Sequence, residues 1–172
     1  LKAFNFHDWI DTHRDQLRPP VANKLLWEDG DMMAFVVGGP NARTDYHDDP
    51  VEEFFYQLEG ELTLRIMHEP GRAPEDIPVR AGELFLLPPH VRHSPQRSAG
   101  SIGLVIEPKR PPGVPEAFEW YCPACHALVH RAEVIVQKID EDLPPIFERF
   151  YADEAARRCA GCGHVHPGKD EL

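Results

Sequence analysis

His47 and Glu53 stand six positions apart, and His93 follows at the far end of a series of short apolar segments. Two imidazoles and a carboxylate constrain a fold when they meet, and distance says how they can. Donor atoms on one transition metal lie about 2.1 Å from it, whereas six residues of straight strand carry the chain roughly 20 Å. A shared ion therefore requires the chain to turn back between His47 and Glu53. Asp48-Asp49-Pro50 supplies a reversal, because an Asp side chain closes a turn on its own backbone and Pro fixes φ while offering no ladder donor. His93 closes a second turn-rich stretch, Leu87-Pro88-Pro89-His90-Val91-Arg92-His93, again after an apolar strand. Two such strand ends meeting in a barrel assemble the site.

The rest of the first two-thirds fits that demand. Residues 24–27 and 32–37 flank Glu28-Asp29-Gly30-Asp31, an Asp-Gly turn that predicts a hairpin, and residues 53–58 and 61–67 flank Glu59-Gly60 in the same way. Residues 77–80, 83–87 and 101–106 are three further strand candidates. Short strands punctuated by turns indicate a barrel or sandwich. Ahead of them, Asn5 caps a predicted amphipathic helix presenting Phe6, Ile10, His13 and Leu17 before Pro19-Pro20 ends it. The Pro-rich run at 107–115 reads as a linker, dividing a domain at 1–110 from an appendage at 111–172. Within the appendage, residues 133–139 read as a strand and residues 144–158 as a helix.

The two histidine-bearing motifs, His47-x-Asp49-x3-Glu53-x6-Gly60 and Gly82-x5-Pro88-x-His90-x2-His93, resemble the paired motifs of the cupin superfamily. The resemblance implies a mainly β fold, a cupin-type antiparallel β-barrel (jelly roll) with a short N-terminal helix and a small metal-clipped strand and helix at the C-terminus. One departure is informative: the usual second His of the first motif is Asp49. The implied ligands are then His47, Glu53 and His93, with Asp49 left to support them. Glu52 is a competing carboxylate, and motif register favours Glu53. A 2-His-1-carboxylate face leaves open positions of the kind associated with non-haem Fe(II) and O2 chemistry.

Charge and cysteine usage narrow the setting. With 18 basic against 29 acidic residues among 172, the net charge of −11 argues against non-specific binding to nucleic acid or an anionic membrane surface. No basic region leads into an apolar run at the start and no window is long and apolar enough to span a membrane, so a cytoplasmic protein is expected. All four cysteines form two C-x2-C pairs, Cys122/Cys125 and Cys159/Cys162, which in a reducing compartment favours metal over disulfides. Four thiolates suit one tetrahedral ion, Zn or Fe, with a structural role. A redox disulfide and a haem site at the Cys122–His126 C-x-x-C-H are the rival readings, and the second conflicts with the expected lack of export.

Two arginines flank the ligand motifs symmetrically, Arg43 four residues before His47 and Arg97 four after His93. A guanidinium fork matches a carboxylate bidentately. Glu107, at the end of a strand, can accept a hydrogen bond from a hydroxyl or amine, and Asn23 adds a polar contact. A small aromatic acid that chelates iron satisfies these groups together. Arg43-Thr-Asp-Tyr-His47, Glu53-Phe-Phe-Tyr-Gln-Leu-Glu-Gly60, His90-Val-Arg-His-Ser-Pro-Gln-Arg97 and the four-cysteine clip resemble the 3-hydroxyanthranilate 3,4-dioxygenase family across nearly the whole chain. That resemblance implies Fe(II) at His47, Glu53 and His93, and substrate contacts from Arg43, Arg97 and Glu107. It also implies a second, rubredoxin-like site at Cys122, Cys125, Cys159 and Cys162, a homodimer, and conversion of 3-hydroxyanthranilate and O2 to 2-amino-3-carboxymuconate semialdehyde. The alternatives are a cupin dioxygenase acting on another small substrate and a non-catalytic metal-binding cupin module; a nucleic-acid-binding ribbon fits the cysteines but not the charge.

Overall fold

The computed structural model describes residues 2–19, 22–27 and 30–169; Pro20 and the Glu28-Asp29 part of the first predicted turn lie outside them. Eleven strands are present among the described residues: β1 (Asn23–Leu25), β2 (Met32–Gly38), β3 (Asp45–Asp48), β4 (Glu53–Glu59), β5 (Glu61–Ile66), β6 (Glu75–Arg80), β7 (Leu84–Leu87), β8 (His93–Arg97), β9 (Ile102–Pro108), β10 (Glu116–Tyr121) and β11 (Leu128–Val134). Helix α1 (Phe6–His13) precedes them, and α2 (Ile139–Asp142) and α3 (Pro144–Ala152) follow. The strands form two antiparallel sheets, ordered β1-β2-β9-β4-β7 and β11-β10-β3-β8-β5-β6.

Period-two alternation decides what faces the space between the sheets. Along β4, Glu53, Phe55 and Gln57 are buried while Phe54, Tyr56 and Leu58 are less so. Phe55 joins Leu62, Leu64, Ile66, Val79, Leu87 and Val105 in an apolar cluster drawn from both sheets. Burying side chains of this size stabilises by about 1.5–3 kcal/mol each before entropy is counted. The polar residues at 53 and 57 sit on the same inward face, so the core turns polar at one end.

Asn5 Oδ1 accepts from the amides of His7 and Asp8 and starts α1, as its cap position predicts. The helix lays Ile10 on Val36 and Ile102, outside the five-stranded sheet.

Four local expectations are corrected. The Glu59-Gly60 turn does not close a hairpin, because β4 and β5 belong to different sheets. Gly60, at φ +68, packs against Ser101, where a Cβ would come within 2.9 Å, so the chain turns a corner there. The His93 region is a strand beyond the turn, despite Pro95. Alternate amides along a strand face one side. The missing amide of Pro95 therefore faces the gap between the His47–His93 pair and the Asn41–Arg97 bridge, where no ladder bond is lost. The strand expected at 133–139 instead ends at Val134, because β11 is set by pairing with β10 across the Cys122–Ala127 turn. The helix expected to reach Arg158 stops at Ala152, since Asp153 turns the chain by accepting from the amides of Ala155 and Ala156.

Past the Pro-rich run the chain rejoins the larger sheet: β10 pairs with β3, matching Phe118 with His47 and Trp120 with Asp45. Every residue of β10 is buried, with Trp120 stacked on Phe150 of α3 at 4.3 Å.

Candidate active site and thiolate clip

Three strands deliver the predicted ligand triad. His47 lies opposite His93 in the β3–β8 pair, and Glu53 opens β4 in the facing sheet. The reversal at Asp48-Asp49-Pro50 is what moves the chain between them, with Asp49 Oδ1 accepting from the Val51 amide. Donor atoms of His47, Glu53 and His93 all lie within 4.8 Å of one another, and the three residues are buried.

Two other sets, His47/Asp49/Glu116 and Asp49/Glu53/Glu107, meet the same distance criterion. Hydrogen bonding separates them. Asp49, Glu107 and Glu116 are all engaged by Arg110, at 3.1, 2.8 and 2.5 Å. Glu53 Oε1 is buried without a hydrogen-bond partner, since its 2.9 Å approach to His93 Nε2 misses hydrogen-bond geometry. That separation matches neighbouring ligands on an octahedral ion, which lie about 3 Å apart when each bond is about 2.1 Å. A buried carboxylate oxygen without a donor is costly, and a cation satisfies it. The triad therefore fits a divalent metal of the 2-His-1-carboxylate type. Burial alone would raise the Glu53 pKa, but His93, His47 and Arg43 outweigh it and hold the carboxyl down at about 2.

His47 is further placed by Phe118, stacked on its ring at 4.7 Å, and by Glu116, 2.5 Å from Nε2. An ion approaching by that nitrogen has to displace the Glu116 contact. Asp49 Oδ2 lies 3.6 Å from the same nitrogen. Neither Glu116 nor Arg110 was singled out from sequence.

Beside Glu53 opens a cavity of about 330 Å³, a size typical of small-molecule sites. Its polar lining comprises Asn23, Asn41, Arg43, Glu53, Arg97 and Glu107, and its apolar walls include Phe35, Val37, Phe55, Val105 and Ile139. The register of β4, β9 and β2 sets the wall from the five-stranded sheet: Phe55 pairs with Val105, Val105 with Phe35, and Gln57 with Gly103, while Arg97 comes from β8 in the facing sheet. The four polar residues expected to meet a substrate thus line one space.

Their electrostatics differ. Arg43 pairs with Asp45. Arg97 is 5% exposed and has no carboxylate partner among the described residues; its Nη1 donates to Gln57 Oε1 at 3.4 Å. Burial, and then the neighbouring Arg43, lower its pKa to about 10. Gly103 makes room for it, for a Cβ there would fall 2.7 Å from Arg97 Nη1. Burial raises Glu107 to about 7 against the pull of Arg110, with Glu53 and Asp49 adding to the rise. Gln96 grips the Arg43 backbone, accepting from its amide at 3.1 Å and donating to its carbonyl at 2.9 Å.

The four cysteines also meet. Cys122 follows β10, and Cys159 and Cys162 follow α3. Their sulfur atoms lie within 4.8 Å, with 3.5 Å between Cys122 and Cys162 and 3.6 Å between Cys125 and Cys159. Those separations are too long for a disulfide and close to the edges of a tetrahedron with bonds of about 2.3 Å. Amides of Cys162 and Gly161 draw the Cys159 thiol down to about 7 against the effect of burial. The donor set fits a thiophilic ion, Zn or Fe.

Among the described residues no helix is long and apolar enough to cross a membrane. A solved cupin-2 domain protein from Shewanella frigidimarina shares the fold, with TM-score 0.50 and 20% identity over 62% of this chain and 95% of that one. The sequence of a 3-hydroxyanthranilate 3,4-dioxygenase from Ruegeria pomeroyi is 61% identical over 171 residues, covering 99% of this chain and 94% of the relative. The enzyme of that name from Paraburkholderia phytofirmans is 59% identical over 98% of this chain and 96% of its own length. The family model for 3-hydroxyanthranilic acid dioxygenase matches residues 1–151, and the chain belongs to that family.

Proposed function

We propose that the protein opens the ring of 3-hydroxyanthranilate with O2 to give 2-amino-3-carboxymuconate semialdehyde, at Fe(II) held by His47, Glu53 and His93. The observation that carries this reading is the Glu53 oxygen that, 2.9 Å from His93 Nε2, has no hydrogen bond among the described residues, at the edge of a cavity lined by two arginines. The names of the closely similar relatives supply the substrate. Bound at this triad, ferrous iron would supply the redox chemistry that activates dioxygen toward an aromatic substrate.

The chain's own groups do the rest. Arg97, lacking an acid, accepts the substrate carboxylate, with Arg43 beside it, and the pair fixes the ring plane. Glu107, ionised above about pH 7, accepts a hydrogen bond from the substrate's hydroxyl or amine. Asn23 contributes at the rim. Phe35, Val37, Phe55 and Val105 exclude water, which strengthens each of these contacts. The thiolate clip holds Zn or Fe in a structural role. We also infer a homodimer: β7 is an edge strand whose Leu84 and Leu86 are 62% and 57% exposed beside the outward Phe54 and Tyr56.

The test is anaerobic mixing of the Fe(II)-loaded protein with 3-hydroxyanthranilate, followed by air. Ring opening removes the substrate's ultraviolet absorption, raises a band at longer wavelength and consumes O2. A protein that binds the acid and does none of these is a binding module, and the reading falls.

A further inference from the structure

The thiolate clip and the substrate cavity share a boundary at residues 43–45, and the contacts there run in both directions. From one side, β10 leads to the Cys122 knuckle, and its Trp120 pairs across the sheet with Asp45, the carboxylate that holds the Arg43 guanidinium. From the other, the segment after Cys162 comes back to Thr44, whose Oγ1 donates to the Gly168 carbonyl at 2.6 Å. That segment is hydrogen-bonded at both ends. Gly168 is buried at φ +87 and donates its amide to His166 Nδ1 at 3.0 Å. His166 in turn exchanges bonds with Arg157, two residues before Cys159: its amide donates to the Arg157 carbonyl at 2.8 Å and its carbonyl accepts from Arg157 Nη1 at 2.7 Å. The four cysteine sulfurs, within 4.8 Å of one another, bring the two knuckles together so that one bound ion would join them. Arg43, Thr44 and Asp45 are therefore held between two arms of the clip, while Gln96 fixes the Arg43 backbone from within the barrel.

We propose that the clip positions the substrate-binding Arg43 through Thr44, so that a metal bound by four cysteines tunes substrate affinity without touching substrate or iron. This rests on the reading of Arg43 as a carboxylate contact. Thr44 is a positioning residue: its hydroxyl donates to the Gly168 carbonyl, and its effect passes through its neighbour's backbone. A clip that served stability alone would have no need to end in a carbonyl aimed at the residue beside the guanidinium.

The experiment measures 3-hydroxyanthranilate binding to the Fe(II)-loaded protein without oxygen, then steady-state turnover in air, for Thr44→Val, Thr44→Ser and Arg43→Ala. Thr44→Val keeps the side-chain shape and loses the donor. Its Kd and KM should rise about five- to tenfold, as expected for one net hydrogen bond, with kcat within about twofold and metal content unchanged at both sites. Thr44→Ser should restore wild-type affinity, and hydrogen exchange at residues 43–45 should quicken in Thr44→Val alone. Cys162→Ala, which opens the clip, should weaken binding similarly, and adding Thr44→Val to it should cost no further affinity. If Cys162→Ala does not fold, the Val and Ser comparison decides. Wild-type affinity in Thr44→Val, no rescue by Ser, or equal losses in kcat and affinity overturns the proposal. Wild-type affinity in Arg43→Ala would instead remove the carboxylate contact on which the proposal rests.

Discussion

Arg97→Met separates function from stability. The Arg97 guanidinium is buried, faces Arg43, and forms no ion pair among the described residues. Lowering its pKa from 12.5 to about 10 corresponds to a penalty on the order of 3 kcal/mol on the charged form. The group stays protonated at every working pH, so the folded protein carries that cost whenever the site is empty of anion. Met fills a similar volume without the charge and loses a long contact to Gln57. A net gain of about 1–2 kcal/mol then raises Tm by about 2–8 °C for a chain of this size. Substrate binding should move the other way. Truncating one partner of a desolvated, hydrogen-bonded charge pair costs about 2–5 kcal/mol, which is at least a 30-fold weaker Kd on the order of magnitude. Scanning calorimetry of the iron-loaded proteins, with and without 3-hydroxyanthranilate, reads both effects. Substrate should raise Tm in the wild type by linkage and hardly at all in the variant. A lower Tm for the unliganded variant, or an unchanged Kd, would show that Arg97 is a structural cation whose charge is met inside the protein.

Three further outcomes follow from the same geometry. His47→Ala should abolish iron retention at the triad and turnover while leaving the far-ultraviolet circular dichroism and the clip metal unchanged; retained iron by elemental analysis would assign the ion to another donor set. Glu107, raised to about 7 by burial, gains its charge as pH climbs through that value. If the carboxylate accepts from substrate, kcat/KM should therefore rise between about pH 6 and 8, and Glu107→Gln should flatten this limb. A wild-type profile without that limb would exclude the role. Gly103→Ala places a methyl 2.7 Å from Arg97 Nη1 and 2.8 Å from Gln57 Oε1, so KM should rise about tenfold or more with iron content intact. Unchanged KM would show that the guanidinium swings clear at no cost.

Much of this site was legible because its ligands obey reach. The distance from His47 to Glu53 demanded a reversal, and alternation along β4 carries Glu53, Phe55 and Gln57 inward together. What escaped notice depends on which sheet a strand joins. Glu59-Gly60 has hairpin chemistry, yet β9 and β7 claim both edges of β4, leaving β5 to the other sheet. Local turn chemistry cannot distinguish a hairpin from a sheet-to-sheet corner, because the choice is made by partners more than 20 residues away.

Arg110 is the clearest case. It lies in a Pro-rich run that reads as a linker, and nothing in its neighbours singles it out. But β9 ends in one sheet and β10 begins in the other, so the linker must cross from one to the other where Asp49, Glu107 and Glu116 come together. Three buried carboxylates within reach of one another are untenable without a cation. One guanidinium has the donors to bond all three, and a Lys ammonium lacks the planar fork that engages both Glu116 oxygens. The same bonds withdraw Asp49 and Glu116 from competition for the ion. Glu53, which Arg110 does not bond, keeps a buried oxygen that no donor among the described residues satisfies. An ion's preference for the proposed triad would thus come as much from neutralising the neighbouring acids as from the three donors themselves.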